Sequence, residues 1–322
     1  MLKLGAVPPV SIGLIAMSDE TSTAAAPVAA NVESAPRISP RVLIVLSLLA
    51  LYLIWGSTYL AIRFALESYP PFVMGALRFL CAGALVYAFQ RWRGMASPTR
   101  RQWFNCAITG TLLLGLGNGL VCFAEQSVSS GLAAVAVASM PVFAAAFGAM
   151  FGQWPRRFEL LGLVIGFAGV IVLNLGSDLR GSPLGAAALV VAAASWAFGS
   201  LWSKRQDMPP PAMSTAAQML TGGVALTIFA LATGESLPAA PTWHATLAVV
   251  YLAIFGSIVA FTAYVYLLKT VRPALATSYA YVNPPVAVLI GAVAVGETVR
   301  VLDVVAMAII LAGVAIITLA KK

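Results

Sequence analysis

Two charged side chains fall within long apolar stretches of this 322-residue chain: Arg78 inside segment 70–90, and Glu125 at the outer end of segment 103–124. A charge at such depth costs about 3 kcal/mol or more unless it is paired, hydrated or able to snorkel, so each is a candidate for binding chemistry. Both approach from the same side, and one expectation is an Arg78–Glu125 pair. The other is that the planar fork of Arg78 meets backbone carbonyls or a ligand carboxylate. Around them stand groups that bind rather than react: the amides of Asn118 and Asn283, the hydroxyl of Tyr279, and the rings of Trp55, Tyr59 and Trp196. Tyr279 and Asn283 share a helical face with the small Ala276 and Ala287. Thr111, Gly115, Asn118, Cys122 and Glu125 follow steps of four, three, four and three, which on a regular helix makes one small or polar stripe. Such a stripe serves either close helix packing or a cavity wall. Tyr52, Trp55, Gly56 and Tyr59 line a third face.

Reaction chemistry lacks its residues. His244 is the single histidine, too little for a histidine metal site or a Ser/His/Asp triad. Cys81, Cys106 and Cys122 each lie in an apolar segment without CxxC spacing and read as small core residues. No GxxxxGK[ST] loop is present to cradle a nucleotide. The sequence therefore calls for no metal, no cofactor and no enzymatic activity.

Ten apolar segments must position these groups: 42–66, 70–90, 103–124, 130–152, 158–176, 184–203, 212–233, 244–268, 273–295 and 302–320. Each is close to the ~20 residues a helix needs to cross ~30 Å of hydrocarbon. With 61% hydrophobic and 9% charged residues the chain has no material for a soluble domain beside them. The clusters Arg37/Arg41, Arg91/Arg93/Arg100/Arg101, Arg156/Arg157, Lys204/Arg205, Lys269/Arg272 and Lys321/Lys322 occupy every second gap, while the others hold Arg63, Arg180 and Arg300. Basic loops resist translocation, which places that side and both termini in the cytoplasm. The net charge of +8 is absorbed by these loops, so a nucleic-acid partner is not expected. The partners expected are the lipid bilayer and a small molecule, with the chain read as a monomer. Residues 1–40 read as a flexible cytoplasmic tail; their signal-peptide character is broken by Pro8 and Pro9 and conflicts with the charge bias.

The chain echoes itself at a shift of about 143 residues. Gly131-Leu132-Ala133-Ala134 with Pro141 parallels Ala274-Leu275-Ala276-Thr277 with Pro284. Glu159 to Gly169-Val170 parallels Asp303 to Gly313-Val314, and Trp55-Gly56-Ser57 parallels Trp196 to Gly199-Ser200. Five helices per half is odd, so the second half enters the membrane inverted, the arrangement of secondary transporters with a midplane site. Pro141 and Pro284 fall near midplane, where each exposes a carbonyl four residues back, at Val137 and Ala280. Breaks at matching positions mark a hinge or a site. Arg63 and Glu67 read as a local surface pair, and Glu159 and Asp303 as helix-start carboxylates that complement the helix dipole.

These residues resemble the EamA-type permeases of the drug/metabolite transporter superfamily. The resemblance rests on Trp55-Gly56-Ser57-Thr58, Arg78-Phe79, Gly117-Asn118-Gly119 through Glu125, Pro141, and Pro273 through Pro284, and covers about residues 43–320. It implies an all-α integral membrane protein of ten helices in two inverted five-helix repeats, 41–177 and 183–320, around a central cavity. It further implies export of amino acids, aromatic and other neutral ones among them, or of related metabolites. Export of drugs or lipophilic cations is the alternative, against which the scarcity of buried acids counts. The second proline of Pro284-Pro285 departs from the family pattern. The cavity residues expected are Trp55, Tyr59, Arg78, Asn118, Glu125, Trp196, Tyr279 and Asn283, with Pro141 and Pro284 as hinges.

Overall fold

The computed structural model describes residues 39–128, 133, 136–175, 182–295 and 299–319, with the side chains of 291, 292, 294 and 295 excepted. The tail to residue 38, Gly131, Leu132 and Ala134 of the first echo, Arg180 and Lys321/Lys322 lie outside the described residues. Those described form helices and connecting turns, with no strand among them. The helices are α1 Pro40–Leu66, α2 Pro71–Trp92, α3 Arg100–Ala124, α4 Ala136–Met150, α5 Arg157–Leu173, α6 Pro183–Ser203, α7 Pro211–Ala232, α8 Trp243–Thr270, α9 Tyr279–Val295 and α10 Val301–Leu319. Seven of these (α1, α2, α3, α6, α7, α8 and α10) are long and apolar enough to span a bilayer by themselves, and α4 is a shorter apolar helix. Leu53, Leu85, Val164 and Leu231 remain exposed, as a lipid-facing surface requires.

Local chemistry sets where the helices begin. Ser39, Ser182 and Thr242 accept a backbone N–H at the starts of α1, α6 and α8, each followed by proline or an apolar run. Thr99 and Gln102 form a reciprocal capping box at α3. Glu159 accepts from Arg156 N at 2.9 Å and Asp303 from Arg300 N at 2.8 Å, which makes both helix-start carboxylates structural. The start of α2 is capped from a distance: Glu235 accepts from Phe72 N and Val73 N at 2.9 and 3.0 Å. Gly94 and Gly152 close α2 and α4 with positive φ of 79° and 78°.

Small residues then bring helices together. α5 and α10 meet so closely that a Cβ on Gly313 would stand 2.5 Å from Gly166 N and 2.8 Å from Gly162 O. α2 and α7 interlock at Gly83 and Gly223, against Leu220 and Leu80. α6 packs on α3 and α4, α1 packs on α8 and α9, and α3 and α2 contact α7 and α8 respectively. The loops gather at two opposite ends. At the end carrying the basic clusters, Gln102 Nε2 donates to Asp207 at 3.1 Å, Arg205 donates to Phe151 O, and Arg272 forms a two-pronged ion pair with Glu159. At the other end, Ser68 meets Thr242 and Ser127 meets Ser182.

Three expectations are corrected. Cys81 is exposed on α2, while Cys106 and Cys122 are buried. Arg63 and Glu67 form no ion pair; Glu67 instead borders a groove between α1 and α8. Ala276 does not share a helix with Tyr279, because Pro273–Ala276 is a separate turn that ends at Thr277 before α9 begins.

Candidate functional site

Three helices carry a stretch of wide π-helical turns: Leu51–Trp55 in α1, Thr111–Asn118 in α3 and Leu252–Val259 in α8. Insertions of this kind rotate every later side chain relative to a regular helix and recur at functional sites. The first two border one cavity of about 90 Å³ through Trp55, Gly117 and Asn118, and the third reaches it through Ser257, which bonds the lining Arg78. Trp55, Tyr59, Arg78, Asn118, Trp196, Tyr279 and Asn283 line it, together with Thr58, Val137 and Met140 among others. Seven of the eight side chains singled out from sequence thus come together. Glu125 is the exception: it ends α3 as its C-cap residue and is not among the lining residues.

The Arg78–Glu125 pair is not made. Arg78, only 3% exposed, donates from Nε to Ser257 Oγ at 3.1 Å, and Ser257 Oγ donates onward to Leu252 O at 3.0 Å. The second bond spans five residues and lies within the π turns of α8. The guanidinium also lies over the Phe79 ring, 4.4 Å from its centroid. Its Nη1 has no acceptor. Glu125 Oε1 is likewise buried without a partner. Asn283, 2% exposed, keeps Oδ1 free of any donor.

Aromatic rings cluster in and behind the lining. Trp55 sits edge-on to Tyr279 and Trp196, at 4.5 and 5.5 Å between centroids, and Tyr264 lies 5.6 Å from both Trp196 and Tyr279. Hydrogen bonds fix the rings: Trp55 Nε1 donates to Gly256 O at 3.0 Å, Tyr264 and Ser200 share a bond of 2.7 Å, and Tyr279 donates to Met140 Sδ at 3.4 Å. Tyr264 and Ser257 escaped the sequence reading, and Ser200 entered it only as a member of the repeat. Their hydroxyls lie in ordinary apolar helices, and only the fold reveals what they hold.

Two proposed faces divide. In the α3 stripe Gly115 packs on Ala225 and Phe229 of α7, while Asn118 lines the cavity, because the π turns break the regular helical repeat. On α1, Trp55 and Tyr59 line the cavity but Gly56 packs against Val286 of α9, and Tyr52 bonds Ser278 at 2.7 Å. One break lies beside its proline and the other does not. α4 is interrupted at Ser139 and Pro141 opens its second part, where a missing N–H is harmless. The break before α9 is at Thr277–Ser278, with Pro284 and Pro285 inside the helix.

The model of the EamA-like transporter family matches the chain twice, over residues 42–175 and 183–319. The chain belongs to the EamA-like transporter family. It is 49% identical over 276 residues to the uncharacterized inner membrane transporter YedA of Escherichia coli K12, covering 85% of this chain and 90% of that protein. It is 28% identical over 179 residues to a probable amino-acid metabolite efflux pump of Salmonella typhimurium LT2, covering 51% of this chain and 55% of that one. A solved crystal structure with 24% identity superposes with a TM-score of 0.72 over 86% of this chain and 96% of its own, which establishes likeness of fold. As an EamA-like family member the chain is a membrane protein of the transporter kind.

Proposed function

We propose that the protein is a secondary exporter or facilitator of small zwitterionic metabolites, foremost amino acids including aromatic and other neutral ones, working by alternating access. In this reading ten helices span the inner membrane as two inverted halves, 41–177 and 183–320, with the basic end and both termini in the cytoplasm. The packing supports the inversion. α2–α7 and α5–α10 pair across the halves, α3–α6 has its counterpart in α8–α1, and α4–α6 in α9–α1. The double family match agrees with it, and so does the separation of loops to two ends.

The observation that carries the substrate class is a set of three unused buried groups in one cavity, Arg78 Nη1, Asn283 Oδ1 and the donor Trp196 Nε1. Arg78 Nη1 suits a carboxylate and Asn283 Oδ1 suits an ammonium, with aromatic faces beside them for a side chain. Among the described residues no carboxylate lines the cavity, which disfavours a lipophilic cation as cargo. At about 90 Å³ the space is well below the roughly 300 Å³ at which ordinary ligand pockets begin. Cargo with a large side chain therefore requires the helices to move apart, as alternating access entails. Purified protein in liposomes should give saturable flux of labelled neutral or aromatic amino acids, measured with and without a pH gradient. Absence of saturable flux for every amino acid tried would sink the proposal.

A further inference from the structure

A second cavity, of about 220 Å³, opens between the C-terminal ends of α6 and α8 and the first turns of α7. It shares no lining residue with the central cavity. Its polar lining consists of Lys204, Lys269, Ser203, Gln206, Ser214 and Gln218, and no carboxylate is among them. Asp207, which follows the lining Gln206 in the chain, accepts from Gln102, and Glu159 is paired with Arg272.

Each ammonium uses one donor on the protein. Lys204 Nζ donates to Val271 O at 3.2 Å and Lys269 Nζ to Pro209 O at 2.9 Å. An ammonium has three donors, so two remain on each lysine. On the floor, Gln218 and Ser214 are almost fully buried and bonded to each other at 2.8 Å. Turning that amide over presents either its oxygen or its NH2 group to the cavity, so the floor can also donate. Burial, and then the nearby positive charge of Arg272, lower the pKa of Lys204, a cost that a bound anion would relieve.

We propose that this cavity binds a phosphate group, either that of an anionic phospholipid headgroup or that of a free phosphate ion. Two lysines with spare donors, backed by hydroxyl and amide groups and facing no acid, match a compact multivalent oxyanion. The cavity lies at the end of the bundle where Arg205 and Arg272 also emerge, and basic pockets between helices at a membrane surface recognise such headgroups. The site is independent of the central cavity, so a failed flux panel leaves this proposal standing, and the reverse holds too.

The test uses full-length protein in detergent, with the thermal midpoint read from tryptophan fluorescence. One arm titrates sodium phosphate against sodium chloride at equal ionic strength. The other titrates mixed micelles of phosphatidylglycerol against phosphatidylcholine. A saturable rise of the midpoint is expected with phosphate, with phosphatidylglycerol, or with both. Response to phosphate alone assigns a free anion, and response to phosphatidylglycerol assigns the headgroup. Lys204→Gln with Lys269→Gln should raise the half-saturating concentration at least about tenfold, whereas Lys204→Arg with Lys269→Arg should keep it near native. If the glutamine pair fails to fold, Gln218→Met tests the floor and should also weaken binding. Equal responses to phosphate and chloride together with equal responses to the two lipids, or a native response from the folded glutamine variant, would overturn the proposal.

Discussion

A guanidinium 3% exposed, with one nitrogen lacking any protein acceptor, is costly in the middle of a helix bundle. Such groups persist where water or a ligand completes them. Arg78→Met should therefore reduce amino-acid flux at least about tenfold, the loss expected when a charged hydrogen bond worth ~1.5–3 kcal/mol disappears. The thermal midpoint in detergent should hold or rise, since Ser257 still donates to Leu252 O and no buried partner is orphaned. Native flux from the methionine variant would remove Arg78 from the binding site. Arg78, Asn283 and Trp55 were legible in sequence because a charge, an amide or an indole is conspicuous among apolar residues. The partner of Arg78 was not: Ser257 is 179 positions away, and nothing local marks it.

At the level of helices, the spans were legible from hydropathy, whereas the close α5–α10 approach was not: Gly169 and Gly313 stood out in sequence only as matching members of the repeat. Gly313→Val should lower stability by roughly 1–3 kcal/mol or more, because the added atoms meet the backbone of Gly166 and Gly162, which cannot turn aside. Gly115→Ala is the contrast: its Cβ would meet Ala225 Cβ at 3.3 Å, and the change should cost less than about 1 kcal/mol. Thermal unfolding of the two variants side by side checks the ranking. The π turns explain why faces drawn at regular helical spacing were only partly right. Within 111–118 the turn widens, and Gly115 and Asn118 face different neighbours.

For the molecule as a whole, two arginines carry much of the contact across the halves at the basic end. Glu159 joins Arg272, Arg272 also donates to Trp154 O at 3.4 Å, and Arg205 donates to Phe151 O while stacking on that ring at 4.6 Å. Under alternating access these contacts must part for cargo to enter from that end. Glu159→Gln should raise the labelling of Ser278→Cys by a membrane-impermeant maleimide applied at the basic end, in a background with Cys81, Cys106 and Cys122 replaced by alanine. Unchanged labelling would mean that the ion pair does not hold that end shut.

Composition and hydropathy alone established a membrane protein, the approximate extent of its apolar helices, and the polar and aromatic groups that stand out within them. Those properties follow from composition and local periodicity, which each segment carries independently of the rest. Only the tertiary structure decided which side chains share the cavity, that Glu125 is left off its wall, and that Lys204 and Lys269 open onto one space. The physical reason is that π turns change the direction of side chains by amounts no fixed period anticipates. Residues far apart in the chain, such as Arg78 and Ser257, then become neighbours through packing alone.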